Sequence, residues 1–348
     1  MEIKSEDIKK ICVLGWGLKG DLFIRIPVIE AIRSLFSDAE LTVIVDSVNM
    51  DVLENHPDVD VVFPFNRNKK PLFKYLASTW SNILKLRKER FDLFVNLYSG
   101  GSSPHVTRMV NARIRLGFDH SRALRRSNNL LVAHPSLCGN WSKAFGTILQ
   151  PLGVEQEAIR RGTTFVCTQA AFECADKLLD ENVAYVGFNL GAGADEKRWP
   201  IASYVELARY IYQKYHYLPL VFTNPGMENL AYQFSTKCSA FCNALQLPLI
   251  NLDEVGAVMQ KCQYIITGDT GLMHLAFGLK RPCLVMFTYT RPEIVEPEDC
   301  IMAPCFIENP EHSDACGNPL GTKDIPVEYA VNKFDELENL ISVQLEKG

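Results

Sequence analysis

The sequence has no apolar run of about 18 residues, the minimum for a transmembrane helix. Residues 1–10 are rich in charge and lead directly into apolar Ile11–Leu14, without the apolar segment and cleavage site of a signal peptide. Neither sign of charge dominates, since 36 Lys and Arg stand against 41 Asp and Glu, and the net charge of −5 gives no global indication of nucleic-acid binding. These absences predict a soluble, cytoplasmic protein.

The eleven cysteines include no C-x-x-C pair and no spacing typical of a zinc site. Cys300, Cys305 and Cys316 form only a loose cluster, and His312 stands alone beside them. The sequence therefore predicts reduced, mostly buried thiols and no metal site.

Apolar runs occur in two successive series, and 348 residues are enough for about two domains. Within each series, short buried strands alternate with amphipathic helices, which is the pattern of a parallel α/β sheet. The sequence predicts two Rossmann-like, doubly wound domains that face a central cleft, with the ligand at the carboxyl ends of both sheets. The predicted strands are Ile11–Leu14, Leu41–Val45, Val61–Phe65, Phe91–Leu97, Tyr185–Asn189, Pro219–Phe222, Pro248–Asn251, Tyr264–Thr267 and Cys283–Phe287.

The domains are predicted at residues 1–165 and 166–325, followed by a helix in residues 326–348. The Arg-rich segment Val106–Ala133 is expected to be irregular. The other predicted helices are Phe23–Phe36, Pro71–Arg90, Pro200–Tyr215, Met227–Ala244, Asp253–Lys261 and Gly271–Gly278.

The most informative stretch is a strand-to-helix turn, Gly268-Asp-Thr-Gly271. Small residues and a hydroxyl leave backbone N–H groups free at the N-terminus of the following helix, which suits a phosphate. The charge of Asp269 would be unfavourable beside a phosphate, so this carboxylate is assigned to a ribose hydroxyl or a neighbouring amide. The alternative is a tight turn in which Asp269 caps the helix.

The first strand ends in Gly15-Trp-Gly-Leu-Lys-Gly20, which formally matches G-x-G-x-x-G, and Asp46 ends the second strand. This pattern gives the alternative of a nicotinamide-dependent oxidoreductase. Asp21, however, would project a carboxylate beside the pyrophosphate. If the nucleotide binds the second domain instead, Asp21 is placed as a general base for a transfer reaction, or is a helix cap.

Two further segments of the second half fit a nucleotide. Asn189–Pro200 holds Gly191 and Gly193, which permit close backbone approach, and Lys197, a cation suited to a diphosphate. Glu228 follows the next strand and is suited to a ribose hydroxyl, or to the favourable dipole at a helix start.

The chain resembles the ADP-heptose-dependent lipopolysaccharide heptosyltransferases, glycosyltransferase family 9, which have the GT-B fold. The resemblance runs through most of the chain and rests on Lys19–Pro27, Gly191–Gly193 with Lys197–Pro200, Asn224–Glu228 and Gly268–Ala276. The chain departs from the family pattern at Phe287-Thr-Tyr-Thr-Arg291, where the family has Gly-Pro, and in the turn Gly15-Trp-Gly17.

The resemblance implies a metal-independent, inverting transfer of heptose from ADP-heptose, with no cofactor. Asp21 matches the catalytic base of the family, Lys197 its diphosphate-binding lysine, and Glu228 and Asp269 its ribose-side carboxylates. The residues that match its phosphate turn are Thr270, Gly271 and His274.

Basic residues concentrate in the first half, although the chain as a whole is acidic. They form a local field suited to phosphates or sugar-acid carboxylates, or a solvated charge run. A nucleic acid is disfavoured, because these segments hold no interleaved aromatic platform. The residues expected to bind an anionic acceptor are Arg67, Lys69, Lys70 and Arg122.

The resulting hypothesis is an inverting heptosyltransferase whose first domain binds an anionic inner-core glycolipid at the inner membrane surface. Its second domain binds the nucleotide sugar, and its last helix is expected to pack back on the first domain. The alternatives are the oxidoreductase and a non-catalytic sugar-nucleotide-binding protein.

Overall fold

The computed structural model describes residues 5–67 and 70–347. The chain forms two compact units, residues 1–163 and 164–348. The predicted boundary lies two residues further along the chain. Within the described ranges, no helix is both long and apolar enough to cross a membrane.

The first unit is a parallel sheet of strand order β3-β2-β1-β4-β5-β6, with helices in the connections. The order reverses between β1 and β4, so the loop after β1 lies at the topological switch point. The elements are β1 (Lys10–Leu14), α1 (Lys19–Leu35), β2 (Glu40–Asp46), β3 (Val61–Phe65), α2 (Leu72–Glu89), β4 (Phe91–Asn96), α3 (Ser103–Met109), β5 (Ala112–Asp119), α4 (Arg122–Ser127), β6 (Leu130–Ala133) and α5 (Trp141–Gly146).

The second unit repeats this plan, with strand order β12-β11-β10-β7-β8-β9 and a separate antiparallel pair, β13-β14. Its switch point lies between β7 and β10. The elements are α6 (Gln169–Leu178), β7 (Tyr185–Asn189), α7 (Ile201–Tyr215), β8 (Leu218–Val221), α8 (Glu228–Cys238), β9 (Leu245–Gln246), α9 (Leu252–Lys261), β10 (Cys262–Gly268), α10 (Gly271–Gly278), β11 (Cys283–Phe287), β12 (Met302–Phe306), β13 (Glu308–Ser313), β14 (Pro319–Gly321) and α11 (Val327–Lys347). The prediction of two Rossmann-like doubly wound domains is confirmed.

The segment Val106–Ala133, expected to be irregular, contains β5, α4 and β6 instead. Arg113 and Arg115 lie on the less buried face of β5, while Ala112, Ile114 and Leu116 are buried on the other. Because the arginines interrupt the apolar run, the sequence conceals a strand near the edge of the sheet.

The strand predicted at Pro248–Asn251 is also wrong, because these residues form a loop before α9. Asn251 is the N-cap of that helix and exchanges hydrogen bonds with Glu254 in a capping box. The strand that closes the sheet at this point is the short β9.

Helix α11 is grouped with the second unit, where it packs against α7, β11 and β12, and its packing on the first domain stays a prediction. Ala330, Phe334 and Leu337 lie on one face of this helix and join the hydrophobic core of the second unit. On the neighbouring face, the carboxylate of Asp335 accepts hydrogen bonds from the hydroxyls of Tyr210 and Tyr215, both at 2.7 Å. Apolar spacing identifies such a stripe but not the surface that covers it.

Candidate functional site

Asn189 joins the loops at the switch point of the second sheet. Its side chain is 1% exposed at the end of β7, opposite Thr267 of β10. Its Nδ2 donates to the hydroxyls of Thr267 and Thr270, both at 2.9 Å. Its Oδ1 accepts from the N–H of Gly191 at 3.3 Å and from Nδ2 of Asn224 at 2.8 Å. One buried amide therefore holds three loops that the sequence assigns to nucleotide binding.

The N-terminus of α10 is formed as the sequence predicts, beginning at Gly271. Thr270 is the N-cap residue, but its side chain does not cap the helix, and its hydroxyl accepts from Asn189. The first N–H groups of a helix have no intrahelical partner and carry its positive dipole end, so this turn is suited to an anion. His274 lies one turn further on, is buried, and packs edge-on against Phe277.

Lys197 lies in a short 3₁₀ turn and places its Nζ 3.7 Å from the centre of the Tyr289 ring. The hydroxyl of Thr288 donates a hydrogen bond to the carbonyl oxygen of Lys197. Both contacts come from the segment after β11, and they hold the ammonium group at the same edge of the sheet as the α10 turn. A cation–π contact of this kind orients a lysine without neutralising its charge.

Asp269 occupies the turn between β10 and α10 and accepts a hydrogen bond from the hydroxyl of Thr290. Burial raises the pKa of Asp269, while the Thr290 hydrogen bond and the positive charge of Lys197 act in the opposite direction. The carboxylate thus has a hydroxyl partner and a cation at hand, rather than a helix-capping role.

Gly191 and Gly193 differ in the space around them. A Cβ at Gly191 would lie 2.5 Å from Nδ2 of Asn224, so a side chain there would displace a partner of Asn189. A Cβ at Gly193 would have nothing within 4 Å, so this position borders open space that a ligand can fill.

Glu228 begins α8 and is exposed. Its Oε1 accepts from the N–H of Gly226 at 3.0 Å. Hydrogen bonds from its own N–H and from that of Gly226 lower the pKa of Glu228. The carboxylate therefore stabilises the turn before the helix and remains exposed at the edge of the sheet.

Asp21 is the third residue of α1, at the switch point of the first sheet. Its Oδ2 accepts from the N–H of Leu18 at 2.9 Å, which fixes the carboxylate at the helix start. Gly17 has a φ of +147°, and a Cβ there would approach both Asp21 and Arg25 to 2.8 Å. Glycine is therefore required for this close packing.

Arg25 lies one turn after Asp21 and is almost fully buried, 6% exposed. Its Nη1 donates to the carbonyl oxygen of Trp16, and its guanidinium lies 5.0 Å from the centre of the Phe145 ring. Burial lowers the pKa of Arg25, and the negative charge of Asp21 opposes this shift. A buried guanidinium therefore lies beside the carboxylate assigned as the base.

Arg67 is bound by several partners of its own unit. Its Nη1 donates to Asp46 at 2.9 Å and its Nη2 to the hydroxyl of Tyr98 at 3.1 Å. Its guanidinium lies 4.9 Å from the centre of the Trp16 ring. Because Asp46 is paired with Arg67 and Trp16 fills the turn after β1, this turn is not arranged to receive a dinucleotide.

The other residues assigned to the acceptor lie on or before helices. Arg122 is the exposed first residue of α4, and exposed Lys70 precedes α2. Lys69 lies outside the described residues. The structure thus separates Arg67, which is paired internally, from the two exposed cations.

The sequence did not single out Asn189 or Thr290 as site residues. The signal for Asn189 is a polar residue at the end of an otherwise apolar strand, at the carboxyl edge. Thr290 belongs to the segment noted only as a departure from a family pattern. In the structure, Thr288, Tyr289 and Thr290 each contact a predicted donor-site residue.

Within residues 5–67 and 70–347, no group of three or more His, Cys, Asp or Glu residues is arranged to hold a metal ion. Cys262, Cys283 and Cys305 are buried free thiols, and burial raises the pKa of Cys262 to about 12.

Comparison with known proteins identifies the family. Residues 80–305 match glycosyltransferase family 9 (heptosyltransferase). The chain is 22% identical over 300 residues to the lipopolysaccharide core heptosyltransferase OpsX of Haemophilus influenzae. The aligned region covers 84% of this chain and 82% of that protein.

Two solved structures are similar to the whole chain. The glycosyl transferase family 9 protein of Veillonella parvula has a TM-score of 0.80 at 19% identity, over 97% of this chain and 98% of that one. The Escherichia coli heptosyltransferase WaaC with ADP-2-deoxy-2-fluoro heptose has a TM-score of 0.72 at 19% identity, over 95% of this chain and 99% of that one. These likenesses confirm the predicted GT-B fold. The chain belongs to glycosyltransferase family 9, the heptosyltransferase family, and it is a glycosyltransferase.

Proposed function

We propose that this protein transfers a heptose from ADP-heptose to an anionic inner-core lipopolysaccharide, with inversion at the anomeric carbon. The observation that carries the proposal is the arrangement at the switch point of the second unit. There, an uncapped helix N-terminus and the Lys197 ammonium lie at one edge of the sheet, and Asn189 fixes the loops around them. Both groups suit a diphosphate that gains negative charge as it leaves.

In this mechanism, the second unit binds the donor. The N–H groups at Gly271 and the ammonium of Lys197 stabilise the departing diphosphate, while Asp269 and Glu228 face the ribose hydroxyls. Thr270 and His274 shape the phosphate turn. Gly191 and Gly193 allow the backbone of the Asn189–Pro200 loop to approach the nucleotide.

The first unit binds the acceptor and supplies the base. Asp21 takes the proton of the acceptor hydroxyl, whose oxygen attacks the anomeric carbon. The bond from that carbon to the diphosphate oxygen breaks, and its electron pair leaves with ADP. We assign the proton to Oδ1, since Oδ2 already accepts from Leu18. The buried charge of Arg25 holds the position of this carboxylate.

Lys70 and Arg122, together with Lys69, are proposed to bind phosphates or carboxylates of the acceptor. Arg67 would contribute from its place beside Trp16. The transfer is proposed to need no metal or other cofactor and to take place in the cytoplasm, with the protein peripheral at the inner membrane.

Calorimetry with ADP, UDP, GDP and NAD tests the donor assignment. ADP is expected to bind and NAD is not. Lys197→Ala is expected to weaken ADP about tenfold or more, because a hydrogen bond to a charged group is lost. Lys237→Ala, an exposed lysine on α8, serves as the control and leaves the affinity unchanged. A tighter response to NAD than to ADP contradicts the assignment and restores the oxidoreductase alternative.

Substitution of the base tests catalysis itself. Asp21→Asn can still accept from Leu18 but cannot take a proton, so turnover is expected to fall about 10²–10⁴-fold. ADP affinity stays unchanged, while the melting temperature falls, because buried Arg25 loses a compensating negative charge. Asp38→Asn, an exposed carboxylate of the same unit, keeps full activity as the control. An active Asp21→Asn enzyme would refute the mechanism, and a wild type that binds ADP without any transfer would favour a binding protein.

A further inference from the structure

Among its described side chains, helix α2 has one covered and one exposed apolar face. Ile83 and Leu86 are buried in the hydrophobic cluster of the first unit. On another face, four large apolar side chains are exposed: Phe73 by 69%, Leu76 by 56%, Trp80 by 60% and Leu84 by 45%. Their spacing of three, four and four residues places them in one stripe along the helix.

A solvent-facing helix surface is normally polar, so this stripe is a candidate contact surface. Single exposed apolar residues are common and need no explanation, but here four follow one another over three turns. Along α2 itself, the charged residues other than Glu89, which bonds Lys10, are cationic.

The charge around the stripe indicates what covers it. Residues 67–90 contain eight Lys or Arg and a single acidic residue, whereas the whole chain is acidic. Arg87 and Lys88 are exposed and lie one turn beyond Leu84, at the carboxyl end of the stripe. A partner with an apolar interior and an anionic surface complements this pattern.

The positive surface continues beyond α2. Helix α3 packs against both α2 and α4. Arg108 on α3 and Arg122 and Arg126 on α4 are exposed. The apolar stripe and these cations therefore belong to one helical layer of the first unit.

We propose that the exposed face of α2 lies on an anionic lipid bilayer, with Phe73, Leu76, Trp80 and Leu84 inserted among the lipid chains. The flanking cations bind lipid phosphates. Charged residues along α2 fit a helix that lies in the membrane interface and does not span the bilayer. This inference deepens the peripheral location proposed above. Lipid binding needs neither donor nor acceptor, so its failure and that of the transfer reaction are distinguishable.

Flotation of the full-length protein with vesicles tests the proposal. The two probes are phosphatidylcholine alone and phosphatidylcholine mixed with anionic phosphatidylglycerol. We expect binding to the anionic vesicles to be about tenfold or more tighter, and to weaken at high salt, where the screening length falls to about 3 Å at 1 M. Equal binding to both vesicles, or none to the anionic ones, would overturn the proposal.

Paired variants separate the apolar and the charged parts. Trp80→Gln with Leu84→Gln is expected to weaken binding about tenfold or more, because two apolar side chains no longer insert among the lipid chains. The control pair, Tyr232→Gln with Leu340→Gln, changes similarly exposed residues on helices of the second unit and should leave binding unchanged. Arg87→Gln with Lys88→Gln should lose about fivefold per removed cation at low salt. If the control pair weakens binding as much as the α2 pair, the proposed surface is wrong.

Tryptophan fluorescence reports insertion directly. Trp80 is exposed, Trp141 is half-buried, and Trp16 and Trp199 are each 1% exposed, so the part of any blue shift and of the quenching by brominated lipid that Trp80→Phe removes should arise from position 80. Trp80→Phe should keep lipid binding and lose that part of the shift. Sedimentation velocity tests the alternative that a second copy of this chain, and not a bilayer, covers the exposed face of α2. A dimer that the Trp80→Gln, Leu84→Gln variant dissociates, without binding of the wild type to anionic vesicles, would assign the face to a second copy and overturn the proposal.

Discussion

The side chain of Asn189 offers a sharp test of how the donor site is built. Asn189→Ala removes four hydrogen bonds at once, two donated and two accepted. At about 0.5–1.5 kcal/mol each, their loss amounts to about 2–6 kcal/mol of unfolding free energy. The upper part of this range applies if Thr267 stays buried without a new partner, and the lower part if water enters beside Asn224.

A loss of this size is measurable by calorimetry. For a unit of this size, about 1 kcal/mol lowers the melting temperature by roughly 2–4 °C, so a fall of about 4 °C or more is expected. ADP affinity should fall together with stability, because the Thr270 and Gly191 loops are no longer tied together.

Asn251→Ala is the matched control for this experiment. It removes an N-cap of the same unit and costs about 0.5–2 kcal/mol, but it lies in the capping box of α9 and not at the switch point. It should lower the melting temperature and leave ADP affinity unchanged. If Asn189→Ala melts and binds ADP as the wild type does, the central role given to this side chain is refuted.

Two other perturbations address the same edge of the sheet. Gly191→Ala should lower both the melting temperature and the ADP affinity, because the added Cβ displaces Asn224. Gly193→Ala should weaken ADP binding and keep the melting temperature, because no atom lies within 4 Å of the added Cβ. A lower melting temperature for Gly193→Ala than for Gly191→Ala would contradict this geometry. Thr290→Val removes a hydrogen bond that lowers the pKa of Asp269, so this pKa should rise further above its ordinary value. A carboxyl whose pKa is raised in the folded state makes the protein less stable as pH rises above its unfolded pKa of about 3.9. Thr290→Val should therefore lose more unfolding free energy than the wild type as pH rises from about 4 to about 8, which thermal melts measure.

Uninterrupted apolar runs made most of the fold predictable. Tyr185–Asn189 and Cys283–Phe287 are strands with the predicted bounds, and Gly271–Gly278 is a helix with the predicted bounds. In each case local pattern and tertiary burial agree, because central parallel strands are covered on both faces. β5 was not predictable in this way, since arginines on its less buried face break the run.

The partners within the candidate site were less accessible to sequence reasoning. Asn189 and Thr267 are 78 residues apart and meet because β7 and β10 are neighbours in the sheet. Thr290 reaches Asp269 because β11 lies beside β10. Such pairs depend on the order of strands in the sheet, and the local apolar pattern of a single sequence does not reveal that order. The motif residues stand out in the sequence because glycine, aspartate and lysine have distinctive chemistry of their own, and their binding roles stay predictions.

The internal pairing of Arg67 limits how the loop before Asp21 can vary. Strand order places the ends of β2 and β4 on opposite sides of β1, and Arg67 bonds Asp46 from one and Tyr98 from the other. Its guanidinium thereby crosses above the turn after β1 and rests on Trp16. A smaller residue at position 16 would leave that guanidinium with the Tyr98 ring alone, 5.0 Å away, and open the turn to water. The unusual tryptophan and the arginine therefore form one structural unit, and substitutions at these two positions should be tolerated together more readily than apart.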